Sequence, residues 1–219
     1  MIDPFVLTVV FLPVIGYLLL LALIRVSGRV LVTTGGRDLS ALFFAMAGMV
    51  AIGPMQLFFA GASAALLGPY VWLPMLLLYV LICGLVVLTR EPRLVVYGRT
   101  ANELYPALLR SAQAIDSSAV GDEKNVQVHL PQFGAHLRIE GHQGFDCVSV
   151  LAFEPMLPLS FWNHLLGQLR VQVRGISPPS PRRGWAALFV ALAMLFLLAR
   201  SVMGRGDQFV EGFREWLIR

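Results

Sequence analysis

No charged residue and no histidine falls between Asp38 and Arg90. A soluble domain averages about one charged residue in four, so the stretch from Leu39 to Thr89 does not read as water-facing surface or as one core helix. A bilayer-crossing helix needs about 20 apolar residues, and this stretch holds two spans with a tight turn between them. Lysine is nearly missing as well: Lys124 is the sole one, and the net charge of +4 rests on arginine. Those arginines border apolar blocks and form no basic stripe interleaved with aromatics, which argues against a nucleic-acid partner. The two cysteines stand apart, Cys83 inside an apolar block and Cys147 in a polar segment. They form neither a disulfide framework nor a Cys-x-x-Cys motif. Ser149 lacks the Gly-x-Ser-x-Gly setting of a hydrolase elbow. Gly35-Gly36-Arg37 lacks the Lys-Ser/Thr ending of a phosphate loop. From these absences we expect no catalytic residues and no cofactor.

What is present is apolar: 57% of the chain is hydrophobic and 14% charged, with a mean hydropathy of +0.73. The excess sits in four blocks, which predict spans over about residues 5–24, 40–60, 69–89 and 184–203. In the first block the only early charge is Asp3, and Arg25 and Arg29 follow the apolar run, so it reads as a retained anchor and not a cleaved leader. Pro13 and Gly16 lie mid-span, where neighbouring helices can satisfy a freed carbonyl. Arg25, Arg29 and Arg37, and then Arg90 and Arg93, place the first and third connections inside by the positive-inside tendency. Arg182 and Arg183 open the fourth span, after a proline-rich linker over residues 176–183.

Residues 91–175 read as one small domain. Arg93 to Tyr97 is expected as a strand. Thr100 and Glu103 fit a capping box ahead of an amphipathic helix, although Pro106 moves its expected start towards Leu104. Asp116 to Lys124 reads as a polar loop. Asn125–Leu130, Ala135–Gly141 and Cys147–Phe153 read as strands, the middle one with Leu137 and Ile139 on one face and His136, Arg138 and Glu140 on the other. Ser160 opens a helix to about Arg170. The expected fold is therefore a polytopic α-helical membrane protein with four transmembrane helices and an inserted small α+β cytoplasmic domain in the order β-α-β-β-β-α. The tail, residues 204–219, puts Phe209, Val210, Phe213, Trp216 and Leu217 on one helical face, as an interfacial or partner-docking helix does.

Three groups of residues are candidates for function. Gly48, Gly53, Pro54 and Gln56 in the second span make either a close-packed kink or a broken helix lining a pore. His129, His136 and His142 on the polar strand face are candidate metal ligands. Phe209, Phe213 and Trp216 form an interface. The favoured expectation is an integral membrane scaffold or accessory subunit, in contact with the lipid bilayer and with other membrane subunits or further copies of itself, its cytoplasmic domain docking a partner. The alternatives are a small transporter or channel with Gln56 at the pore, and a membrane-anchored metal sensor or enzyme using the His129/His136 face. The expected location is a bacterial inner (cytoplasmic) membrane, with both termini outside and residues 91–183 in the cytoplasm.

Overall fold

A computed structural model describes residues 3–53, 68–141, 146–154, 157–174 and 182–218, with the side chains of 68–69, 182–183 and 216–218 outside that set. In chain order its elements are α1 (Pro4–Val26), β1 (Leu31–Thr34), α2 (Gly35–Ile52), a 3-10 turn (Gly68–Val71), α3 (Trp72–Thr89), β2 (Leu94–Tyr97), α4 (Ala101–Gln113), β3 (Val120–Asp122) and β4 (Gln127–Leu130). There follow a 3-10 turn (Pro131–Phe133), β5 (Ala135–Gly141), β6 (Cys147–Ala152), α5 (Leu159–Arg174), α6 (Arg182–Val202) and α7 (Gly206–Ile218). They fall into two compact units. One comprises Met1–Ala22, Leu39–Thr89 and Trp185–Arg219, the other Leu23–Asp38 and Arg90–Gly184.

Among the described residues four helices, lying mostly in the first unit, are long and apolar enough to cross a membrane: Pro4–Val26, Gly35–Ile52, Trp72–Thr89 and Gly184–Val202. They match the four apolar blocks of the sequence. The Tyr79 hydroxyl of α3 donates to the Phe43 carbonyl of α2 at 2.6 Å, the kind of polar link that fastens helices where no hydrophobic gain drives their pairing.

The second unit is built on a six-stranded antiparallel sheet in the order β1-β2-β6-β5-β4-β3. Two of these strands correct the order expected from sequence. β1 comes from the connection between α1 and α2, a segment the expected order leaves without a strand. It pairs with β2 in the register Leu31↔Tyr97 to Thr34↔Leu94. The signal was the run Val30-Leu31-Val32-Thr33-Thr34, β-branched at four of its five positions, which suits a pleated surface. β3 arises inside the stretch read as a polar loop and pairs Val120 with His129 and Asp122 with Gln127. It is three residues long with Val120 exposed, too short to show an alternation.

The core lies between one face of the sheet and helices α4 and α5. Val32, Leu94, Val96, Val128, Leu130, Leu137, Ile139, Val148 and Val150 face Leu104, Leu108, Ala112, Phe161, Leu165 and Leu169. The alternation of β5 appears as expected, with Ala135, Leu137 and Ile139 buried and His136, Arg138 and Glu140 exposed. Helix α4 starts at Ala101 and not near Leu104: Thr100 and Glu103 form the capping box, and the Thr100 amide donates to Glu103 Oε2 at 3.4 Å. Pro106 removes one helical hydrogen bond. The helix runs through it because Leu104, Tyr105, Ala107, Leu108, Ser111 and Ala112 are all buried on one side. α5 continues a turn past Arg170 because Val173 still reaches the core.

Candidate functional site

The feature that gives the molecule its organisation is the root of the α2–α3 hairpin. Thr34 runs straight into α2: the Gly35 amide donates to the Arg93 carbonyl at 2.8 Å, extending the β1–β2 ladder by one bond. The Arg37 amide reaches Thr34 Oγ1 at 3.5 Å, and Asp38 supplies the negative charge that a helix N-terminus favours. The Tyr97 hydroxyl at the end of β2 donates to Asp38 Oδ1. Residues 34 and 94 thus sit side by side in one sheet, and everything between them departs from and returns to that point. Beside this root, burial and then the Asp38 charge push the Cys147 thiol above its ordinary range, which makes it a poor nucleophile at neutral pH.

Of the pore or packing residues, Gly48 is placed against α1. A Cβ there would collide with the Val9 carbonyl oxygen. Val9 precedes Pro13 by four residues, so it is the carbonyl that the proline leaves without a helical donor. The glycine of α2 makes room for that carbonyl, the close backbone approach typical of small-residue membrane packing. Gly53 ends α2, its amide donating to the Met49 carbonyl at 2.9 Å. Pro54 and Gln56 lie outside the described residues.

The histidine face is formed by β4 and β5. His129 and His136 are direct register partners, their rings stacked with centroids 4.1 Å apart. Glu154, just past β6, grips His136 twice: the His136 amide donates to Oε2 at 2.7 Å and its Nδ1 lies 2.8 Å from Oε1. Burial works against the Glu154 charge, but these His136 contacts outweigh it and hold the carboxyl below its ordinary range. Sequence reasoning finds no partner for Glu154, since eighteen positions separate it from His136. His142 lies outside the described residues, and among the described residues no group of three histidine, cysteine or acidic side chains is placed to hold a metal ion.

Asp116, read as the start of a loop, is fully buried. Its carboxylate accepts from the Ser118 amide at 2.9 Å, from the Ser118 hydroxyl and from the Gln132 amide at 3.0 Å. It ties the chain after α4 to the turn between β4 and β5. Burial opposes its charge, yet the Ser118 and Gln132 donors prevail and its pKa is lowered.

In the tail, Phe209 and Phe213 of α7 each set their ring edgewise against Phe5 of α1, with centroids 5.6 Å apart. Gly212 lies between them beside the Asp3 carboxylate, where a Cβ would clash. The apolar face of the tail therefore has a partner inside the chain, next to the first turn of α1. The Trp216 side chain is outside the described set.

No protein-family model, curated protein or solved structure matches this chain.

Proposed function

We propose that this chain is a multi-pass membrane scaffold or accessory subunit, crossing a bacterial inner membrane four times with its sheet unit on the cytoplasmic side and both termini outside. The observation that carries this reading is the pairing of β1 with β2. A strand that enters from between two spans builds the α1–α2 connection into the sheet, so that the chain tethers the sheet at several points, as a docking platform would need. It also supports the topology, because the hairpin must cross an even number of times to bring Gly35 and Arg93 together. The Phe5–Phe209 and Phe5–Phe213 contacts support placing both ends of the chain on one face. Arg25, Arg29, Arg37, Arg90, Arg93, Arg182 and Arg183 all stand where the chain passes between an apolar helix and the sheet, which supports a cytoplasmic placement of that side by the positive-inside tendency.

The docking face in this reading is the sheet surface opposite α4 and α5. Arg138 and Glu140 of β5 are exposed there, and with Arg93, Ser149 and Leu151 they border a shallow depression of about 730 Å³. Mixed charge around a small apolar centre suits the polar rim and apolar middle of a protein interface. Partners in the membrane would be other subunits or further copies, packed on apolar helix faces. The test is mild detergent extraction at native expression level followed by native electrophoresis and crosslinking. A complex larger than the monomer is expected, and Arg138→Glu should shed a cytoplasmic component from it. A clean monomer contradicts the reading.

A further inference from the structure

The sheet unit carries a second cleft, of about 700 Å³, lined by Gly28, Arg29, Val30, Leu31, Val32, Arg99, Arg170, Val173 and Arg174. Four of those nine residues are arginines and none is acidic. The arginines come from four separate places: the turn after α1, the β2–α4 connection, and two successive turns of α5.

Each has a fixed position. Gly28 adopts the left-handed conformation with φ 64°, and its amide donates to the Arg25 carbonyl at 3.3 Å. This is the glycine-type ending of a helix, and it turns the chain from α1 so that Arg29 stands at the cleft. Arg99 forms the floor: its side chain is 5% exposed and lies 3.6 Å from Glu103 Oε2. Arg170 is held at the sheet edge, where Nε and Nη2 both donate to the Val32 carbonyl at 3.2 and 3.0 Å. That leaves Nη1 for another acceptor. Arg174 closes α5.

Single roles account for each arginine taken alone. A cation in the last turn of α5 suits the helix dipole, a guanidinium on an edge strand blocks further pairing, and a charge after α1 fits the positive-inside tendency. The Glu103 carboxylate offsets Arg99, but single roles do not account for three further guanidiniums, those of Arg29, Arg170 and Arg174, around one cavity, where like charges repel unless another anion joins them. Guanidinium groups present paired donors that match phosphate oxygens, and the cavity falls in the usual size range of small-ligand sites, about 300–1,000 Å³.

We propose that this cleft binds a phosphate group, either the headgroup of an anionic phospholipid or a free phosphate. The lipid source rests on the membrane reading above. Gly28 lies two residues past the end of α1 at Val26, so chain length alone keeps this edge of the cleft, Gly28, within about 7 Å of the last residue of α1, which is why a lipid headgroup is a candidate source. Arg29 and Arg174 are exposed rim residues that contact the ligand without supporting the core.

The test uses the full chain. Arg29→Gln/Arg174→Gln is compared with Arg110→Gln/Lys124→Gln, which removes the same charge from exposed positions elsewhere on the unit. In the first arm, native mass spectrometry from nanodiscs compares retention of phosphatidylglycerol with phosphatidylcholine. In the second, inorganic phosphate is titrated against detergent-purified protein and thermal stability is read. The double cleft variant should lose about tenfold in affinity, as expected for two charge-assisted contacts, and the control pair should lose little. Discrimination in the first arm identifies a lipid headgroup. Discrimination in the second identifies a free phosphate, and it does not depend on membrane orientation, so a wrong topology and a wrong site are told apart. Equal behaviour of the two variant pairs in both arms overturns the proposal.

Discussion

The two units use the same residue types in opposite ways. In the sheet unit Leu104, Leu108, Leu137 and Leu165 have no exposed surface, while in the helical unit Leu77 is 59% exposed, Phe189 75% and Leu88 85%. Between 6% and 17% of each candidate span is buried. One unit hides its apolar side chains from water, as the hydrophobic effect demands. The other displays them around its four candidate spans, an arrangement suited to an apolar solvent. The difference teaches that the sheet unit owes its stability to side-chain packing, and that the helices, in the membrane placement proposed above, would owe theirs to lipid and to a few close backbone contacts.

That contrast can be broken first by trimming one leucine in each unit. Leu165→Ala should destabilise the sheet unit by about 2–5 kcal/mol, the range for a buried leucine. Leu77→Ala on α3 should stay within about 0.5 kcal/mol. Denaturant melts of the full chain in detergent, read by sheet and helix signals, check both, and equal losses would erase the distinction. Next comes the root of the hairpin. Tyr97→Phe deletes the hydroxyl that donates to Asp38 and should cost about 1.5–3 kcal/mol, as for a bond to a charged acceptor. Hydrogen exchange should speed up in β1 ahead of β4 and β5. A smaller effect is expected in the helical unit: Gly48→Val drives a side chain into the Val9 carbonyl and should cost about 1–3 kcal/mol. Steric-trapping measurements in bicelles read that loss, and an unchanged value would remove the α1–α2 contact from the account.

The smallest effect concerns pH. Asp116 has its pKa lowered in the folded chain, so the folded state favours its ionised form. Its contribution is complete above the ordinary carboxylate range and is lost as pH falls through the lower folded value. Asp116→Asn should therefore flatten the acid side of the melting-temperature profile of the sheet unit and leave the helical unit unmoved. An unaltered acid limb would contradict this.

Much of the architecture was legible because its signals are local. Four apolar blocks state the four long helices, the Thr100–Glu103 spacing states a helix start that Pro106 obscured, and the alternation through His136 to Glu140 states β5. What escaped depends on distant partners. The run Leu31–Thr34 becomes a strand only when β2 lies beside it, and Val120–Asp122 only through β4. The stacking of His129 on His136 followed from hairpin register, but the Glu154 grip needed β6 to be placed first. The arginine cleft was least legible of all, since Arg29 and Arg174 meet only after β1 joins the edge of the sheet beside α5.

The central claim is that the sheet unit lies on one side of a membrane and both chain ends on the other. In a cysteine-free background, Ser117→Cys and Gln208→Cys place a thiol on exposed positions of the sheet unit and of α7. Intact spheroplasts are treated with a membrane-impermeant maleimide, before and after permeabilisation. Labelling at position 208 at once, and at position 117 only after permeabilisation, is the expected result. Immediate labelling at both positions, or at 117 alone, contradicts the account.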